Sequence, residues 1–222
     1  MCWEFYSRYL LTHLHSKSRT RCGIFICMKH YFIIYKPYLV LSQFTSQQGQ
    51  QTLADFFHVP KDVYAVGRLD YDSEGLLILT NDTSLNHRLL NPVFEHERAY
   101  WVQVDGAITD EAIRQLQQGV EINVDGKIYI TKKCIARRLD GNLQVPDRTP
   151  PIRFRKEIPA PWIELILREG KNRQVRKMTA KIGFPTLRLI RQRILNLELG
   201  TMQPGDIIEL PKKTVYKKLG LI

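Results

Sequence analysis

The sequence predicts an α+β fold: a mixed, largely antiparallel sheet with flanking helices. Three observations predict it. Apolar and β-branched runs of strand length outnumber runs with helical period along the 222 residues. Neighbouring strand runs are joined by tight turns, most clearly at Asp125-Gly126 between "EINV" and "KIYI". No regular repeat is present.

The elements follow in chain order. "HYFIIYKP" is rich in aromatic and β-branched residues and stops at Pro37, as a buried strand does. "QTLADFFHV" is a short helix. "VYAVGRL" (63–69) and "GLLILT" (75–80) are strands with an acidic loop between them. "TSLNHRLLN" is a short helix opened by a Thr/Ser cap and closed before Pro92. "RAYWVQVDG" is a strand. "TDEAIRQLQQGV" is an amphipathic helix: Thr109 caps it, acids fill its first turn, and Ile113, Leu116 and Val120 share a face. "EINVDGKIYITKKCIARRL" gives two strands joined through the Asp-Gly turn. A loop with Pro146, Pro150 and Pro151 leads to the strand "PWIELILREG". "NRQVRKMTAKIG" is a helix ended by Gly183, and "TLRLIRQRI" and "GDIIEL" are late strands. One domain is expected over residues 28–210, then a basic tail at 211–222. Residues 1–27 mix Ser, Thr, Arg, Cys and aromatics without a period, and the functional chain is expected to begin at Met28.

The net charge of +11 is unevenly spread. Residues 1–27 carry +3, residues 28–150 carry −2, and residues 151–222 carry +10. A basic last third points to a polyanion, nucleic acid ahead of an anionic membrane surface. No apolar stretch reaches transmembrane length, since "CGIFICMKHYFIIY" is cut by Lys29 and His30. Arg8, Lys17, Arg19 and Arg21 likewise break any signal-peptide core. Cys2, Cys22, Cys27 and Cys134 form no Cys-x-x-Cys pair, which argues against structural zinc and for a reduced, cytoplasmic chain.

The stretch "GRLDYDSEGLLILTND" (67–82) sets Asp70, Asp72 and Glu74 beside a pure apolar run. The spacing imitates the opening of an EF-hand, but the position that needs a bidentate glutamate holds Asn81, so calcium fits poorly. A glycosidase carboxylate pair sits badly in a basic chain. The residues alone leave one catalytic aspartate or a solvated turn. Arg68 and a basic helix far downstream favour the aspartate. In that helix Arg173, Arg176, Lys177 and Ala180 share a face, while Val175, Met178, Thr179 and Ile182 share the opposite one. The cationic face suits phosphates, or a carboxylate that must stay ionised. A surface helix with solvated cations has the same pattern.

Taken with "EGKNRQVRKM", "YKPYLVLSQFT" (35–45) and "RAYWVQVDG" (98–106), the acidic stretch resembles the RsuA/RluB/RluE/RluF family of bacterial ribosomal RNA pseudouridine synthases. "PPIRFRKEIP" and "GFPTLRLIR" are most similar to its RluE branch, and the resemblance runs from Lys29 to Leu210. It implies the pseudouridine synthase catalytic fold, isomerisation of uridine in RNA, and no cofactor or metal. It implies Asp70 as the essential aspartate, Tyr100 as the aromatic residue against the target base, and Arg176 as the basic residue paired with the aspartate. Gly67 and Gly75 bracket the loop and are expected to let backbone approach the nucleotide. RNA contacts are expected from Gly67 and Arg68, from Lys171, Asn172, Arg173, Gln174 and Lys177, and from Arg188 and Arg191. Asp72 and Glu74 are expected to order the loop or repel misplaced phosphate.

Many relatives carry an N-terminal S4-type RNA-binding domain; none is visible in this sequence, and the RluE branch also lacks it. Target choice is therefore expected to rest on the catalytic domain, on Arg153, Arg155, Lys156 and Arg193, and on the tail lysines Lys212, Lys213, Lys217 and Lys218. The RluE likeness favours 23S ribosomal RNA, free or in a ribosome assembly intermediate, as the partner of a monomeric enzyme. The rival reading is a non-catalytic RNA-binding protein. It accounts for the charge but not for the match at Asp70, Tyr100 and Arg176.

Overall fold

The computed structural model describes residues 28–46, 48–139, 141, 143–152 and 155–222. The expectations for residues 1–27 and for Arg153 lie outside these residues. Within them the strands are β1 (Tyr31–Lys36), β2 (Tyr64–Ala65), β3 (Glu74–Thr80), β4 (Arg98–Val104), β5 (Glu121–Val124), β6 (Lys127–Ile130), β7 (Ile135–Arg138), β8 (Trp162–Leu167), β9 (Thr186–Ile194), β10 (Leu197–Glu198) and β11 (Ile207–Glu209). The helices are α1 (Thr83–Leu90), α2 (Asp110–Gln118), α3 (Gln174–Lys181) and α4 (Lys212–Lys218). The main sheet runs β11-β1-β3-β9-β4-β8-β7, with β2 added to β3 and β10 to β9, while β5 and β6 form a separate hairpin. The expected α+β fold with a mixed, largely antiparallel sheet is present.

β1 and β3 are buried along their whole length because both faces of that half of the sheet are covered. On one face Tyr31, Ile33, Leu76 and Ile78 pack with Leu85 and Leu89 of α1 and Val215 and Leu219 of α4. On the other, Phe32, Ile34, Leu77 and Leu79 pack with Leu53, Phe57, Val63 and Leu69. A strand enclosed on both sides has no polar face, so between the polar residues at their ends, Lys36, Glu74 and Thr80, these two are apolar runs. In the second half, Val102, Val104, Ile163 and Leu165 meet α2 and α3 through Ile113, Leu116, Val175 and Met178. The apolar face of α3 is the one that helical spacing indicated.

The two halves join where β3 and β9 run parallel, with Glu74 opposite Ile190 and Gly75 opposite Arg191. The other strand pairs are antiparallel. On its far side β9 pairs with β4, and a bulge after Ala99 sets Tyr100 opposite Arg191. Arg191 thus lies between the strand that receives the acidic loop and the strand that carries Tyr100.

Five expectations shift. The helix expected over "QTLADFFHV" is a single 3-10 turn, Leu53–Asp55, capped by Thr52. Within "VYAVGRL" only Tyr64 and Ala65 form a strand, since Gly67 at φ +74° turns the chain out of the sheet. α1 is capped by Asp82, whose Oδ1 accepts from the Ser84 amide at 3.1 Å; Thr83 and Ser84 lie inside the first turn. Residues 121–138 form three strands, because β7 leaves the hairpin to pair with β8 and buries Ala136 in the α2 core. The basic tail is the helix α4, with Val215, Tyr216 and Leu219 buried and its four lysines exposed. Asp82 locks it down, accepting the Tyr31 hydroxyl at 2.6 Å and the Tyr216 hydroxyl at 2.7 Å. Among the described residues no helix is long and apolar enough to cross a membrane.

Candidate active site

The acidic loop leaves the sheet at Gly67 and returns at Glu74. A Cβ on Gly67 would stand 2.9 Å from Leu90 Cδ2, so the exit bend needs glycine for both its backbone angle and its space. Leu69 is held from both sides by Ser42, whose Oγ donates to the Leu69 carbonyl at 2.7 Å and accepts from its amide at 3.0 Å. Asp70 comes next. Its carbonyl accepts from the Ser73 amide at 3.0 Å and closes a tight turn. The Asp70 backbone is therefore fixed immediately before and after the side chain that the resemblance makes essential.

The three acids are served by different groups. Asp72 receives both terminal nitrogens of Arg173, at 2.9 and 2.7 Å. Burial alone would raise its pKa, but the hydrogen bond from Arg173 and the charges of Arg176 and Arg173 outweigh burial and hold the carboxyl below its ordinary value. Glu74 is enclosed and takes two 2.8 Å hydrogen bonds from Arg188. No ion pair reaches Asp70 among the described residues. Its charge is felt at longer range by Lys36, Arg173, Arg176 and Arg191.

Arg176, expected as the partner of Asp70, is engaged with Asp72. Its Nη2 donates to the Asp72 carbonyl at 2.5 Å, and its Nε lies 3.3 Å from Oδ2, a charge contact with poor hydrogen-bond alignment. The turn separates the two carboxylates. Asp70 lines the cleft described below, whereas Asp72 is turned toward the start of α3. Arg188, expected on the RNA face, is inside the protein because Glu74 is inside; a buried carboxylate without a cation would cost several kcal/mol. Gly75 also serves the protein itself. A Cβ there would stand 2.4 Å from the Arg191 carbonyl oxygen, so glycine is what lets β9 lie beside β3.

These parts open on a cleft of about 470 Å³. The loop contributes Gly67, Arg68 and Asp70, the sheet Tyr100 and Arg191, and the turn before α3 Lys171, Asn172, Arg173 and Gln174. Arg176, Lys177 and Arg188 do not line it. Gln174 reaches the cleft wall but is buried and used internally: it accepts from the Lys171 amide at 2.9 Å and donates to Glu169 at 2.5 Å. Glu169 also accepts the Tyr129 hydroxyl at 2.5 Å, which ties the β5–β6 hairpin to the cleft edge.

Sequence reasoning missed Tyr129 and Glu169, since their contact spans forty residues, although Glu169 opens the stretch "EGKNRQVRKM". It also missed Lys36. That lysine ends an apolar strand and is fully buried, donating to the Pro37 carbonyl at 2.8 Å and the Val40 carbonyl at 2.7 Å. Burial pushes its pKa down to about 7, against the opposing pull of Glu74, Asp72 and Asp70. A lysine inside an unbroken apolar run was the available signal.

The fold and the cleft define the class: the chain belongs to the RNA pseudouridylate synthase family, whose model matches residues 30–181. Among curated relatives, the ribosomal large subunit pseudouridine synthase E of Vibrio parahaemolyticus is 48% identical over 178 residues, covering 80% of this chain and 72% of that protein. The protein of the same name from Xanthomonas axonopodis pv. citri is 50% identical over 174 residues, covering 78% of this chain and 89% of that protein. A solved crystal structure of pseudouridylate synthase superposes with a TM-score of 0.69 at 24% identity, covering 86% of this chain and 74% of that one, a likeness of fold. The expected family and its E branch are both met.

Proposed function

We propose that this chain converts uridine to pseudouridine in large-subunit (23S) ribosomal RNA, with Asp70 as the reacting carboxylate. The observation that carries the reading is the meeting of Asp70 and Tyr100 in one cation-edged cleft. The relatives named for the large ribosomal subunit support the choice of RNA.

The reaction breaks the bond from N1 of uracil to C1′ of ribose, turns the base, and joins C5 to C1′. C5 loses its proton and N1 gains one. No electrons leave the substrate, so the scheme calls on no redox cofactor. Asp70 is the nucleophile or base of this exchange, on a loop anchored to a rigid strand. The uridine must first leave its stack, at a cost of a few kcal/mol. Stacking on the Tyr100 ring returns ~1–3 kcal/mol of that. Arg68, Lys171 and Arg173 at the cleft, with Lys177 beside it, take the phosphates. Arg176 acts on the loop through Asp72. A monomer is what the family resemblance implies, and an RNA substrate supports a cytoplasmic place of work.

The test is tritium release from 23S RNA labelled at uridine C5, with wild type and Asp70→Asn in parallel. Release by the wild type alone is expected. Release by both proteins would remove Asp70 from its role. Release by neither, on free RNA and on assembly intermediates alike but with binding intact, would leave the non-catalytic RNA-binding reading.

A further inference from the structure

We infer that Arg191 is a positioning residue for this reaction: its enclosed guanidinium is the counter-charge that holds Asp70 ionised and oriented once RNA closes the cleft. The inference rests on the reading of Asp70 as the reacting group.

The distribution of charge points to it. Asp72 has Arg173 and Arg176, and Glu74 has Arg188. Among the described residues Asp70 is the loop carboxylate without an ion pair, and Lys36 and Arg191 are the buried cations without one; of these two only Arg191 lines the cleft. Asp70 lines the same cleft. Arg191 has Gly75 opposite it on β3 and Tyr100 opposite it on β4, so it stands beside the strand that the loop enters.

Its hydrogen bonding is half complete. Nε donates to the Leu76 carbonyl at 2.8 Å, which aims the side chain, while Nη2 is enclosed and has no partner. Arg191 is only 5% exposed. A buried guanidinium with idle N–H groups is costly unless something offsets it. Burial works against its charged state and Arg98 adds to that, while Tyr100 and then Asp70 favour the charge, so what offset there is comes from the reacting side of the cleft. An RNA strand over the mouth would exclude water and strengthen that attraction. Two plainer roles fit less well. A phosphate contact needs an accessible guanidinium, and Arg191 is almost wholly buried with Nη2 enclosed. A strut between β9 and β3 needs one donor for Leu76 and no charge.

Two variants separate these roles. Arg191→Gln keeps a donor for the Leu76 carbonyl and removes the charge; Arg191→Lys keeps the charge. Tritium release gives kcat and KM, filter binding gives the RNA Kd, and thermal melting reports the fold. The expected result is a kcat for Arg191→Gln lower by about 100-fold with Kd within about threefold of wild type, and a kcat for Arg191→Lys at least about tenfold above that of Arg191→Gln. A loss confined to KM and Kd would overturn the inference in favour of an RNA contact. Equal losses in both variants, following the melting temperature, would overturn it in favour of a strut. Should Arg191→Gln not fold, the pH profile of Arg191→Lys decides: a kcat that falls with rising pH where the wild-type kcat does not supports the inference, because a buried lysine loses its charge and an arginine keeps it, and a profile like that of wild type overturns it. A wild type that releases no tritium defeats the proposed function instead.

Discussion

Arg188 donates two 2.8 Å hydrogen bonds to Glu74, with the Glu74 and Arg188 side chains only 1% and 7% exposed. The pair lies where the acidic loop becomes β3, and it fastens that strand to β9. Removing one partner leaves the other charged and buried. Glu74→Gln and Arg188→Met should each lower the unfolding free energy by roughly 3–5 kcal/mol, read from urea midpoints. The double variant should cost less than the sum, because the second change removes the stranded charge. Additive losses would show that the two side chains do not depend on each other.

Gly75 is the tightest point of the same junction. It has φ +108°, and a Cβ would meet the Arg191 carbonyl at 2.4 Å. Gly75→Ala should cost about 2–4 kcal/mol and push β9 from β3. Since Asp70 and Tyr100 reach the cleft from the two sides of that seam, kcat should fall further than RNA affinity. A variant with wild-type melting and activity would remove the close packing from the account.

Lys36 makes stability depend on pH. Its pKa is near 10.5 in the unfolded chain and about 7 in the folded one. Between those values the unfolded chain holds a proton that the folded chain lacks, so stability rises with pH across about 7 to 10.5, by at most roughly 1.4 kcal/mol per unit. The neutral amine still donates to the Pro37 and Val40 carbonyls. Lys36→Met should flatten this rise in a series of urea unfolding curves. Parallel pH slopes for wild type and variant would show that Lys36 stays charged when folded.

RNA affinity should fall linearly in a plot of log K against log salt. Lys171 lines the cleft and is exposed, with its ammonium 4.7 Å from the Tyr129 ring centre and no carboxylate paired to it among the described residues. Lys171→Ala should reduce the slope by about 0.9, the contribution of one phosphate on duplex nucleic acid, and less on a single strand. Arg188→Met should leave the slope unchanged, because Arg188 faces Glu74 and not solvent. Equal effects from the two would place both side chains on the RNA.

Much of this molecule was legible as a sequence. Enclosure on two faces needs apolar residues without a break, so "HYFIIYKP" and "GLLILT" declared buried strands. One buried face at helical spacing declared the packing side of α3, with Val175 and Met178 inward. The Asp-Gly step declared the β5–β6 turn. Each of these is a rule about neighbours in the chain, and local spacing is enough to apply it. The Asp70 loop was legible for the same reason, as a short acidic motif against an apolar strand.

Which charges meet was decided by the tertiary structure alone. Arg188 is 114 residues from Glu74, and Arg176 is 104 residues from Asp72. Residue type fixes what an arginine is able to bind, but only the folded path of the sheet brings a given carboxylate within its reach. For that reason Arg188 and Gln174, expected at the RNA, became internal braces, and Arg176 went to Asp72. The folding of 211–222 onto the core as α4 and the departure of β7 to β8 have the same origin: each depends on a distant surface that covers an apolar face, and the local sequence holds no record of where that surface lies.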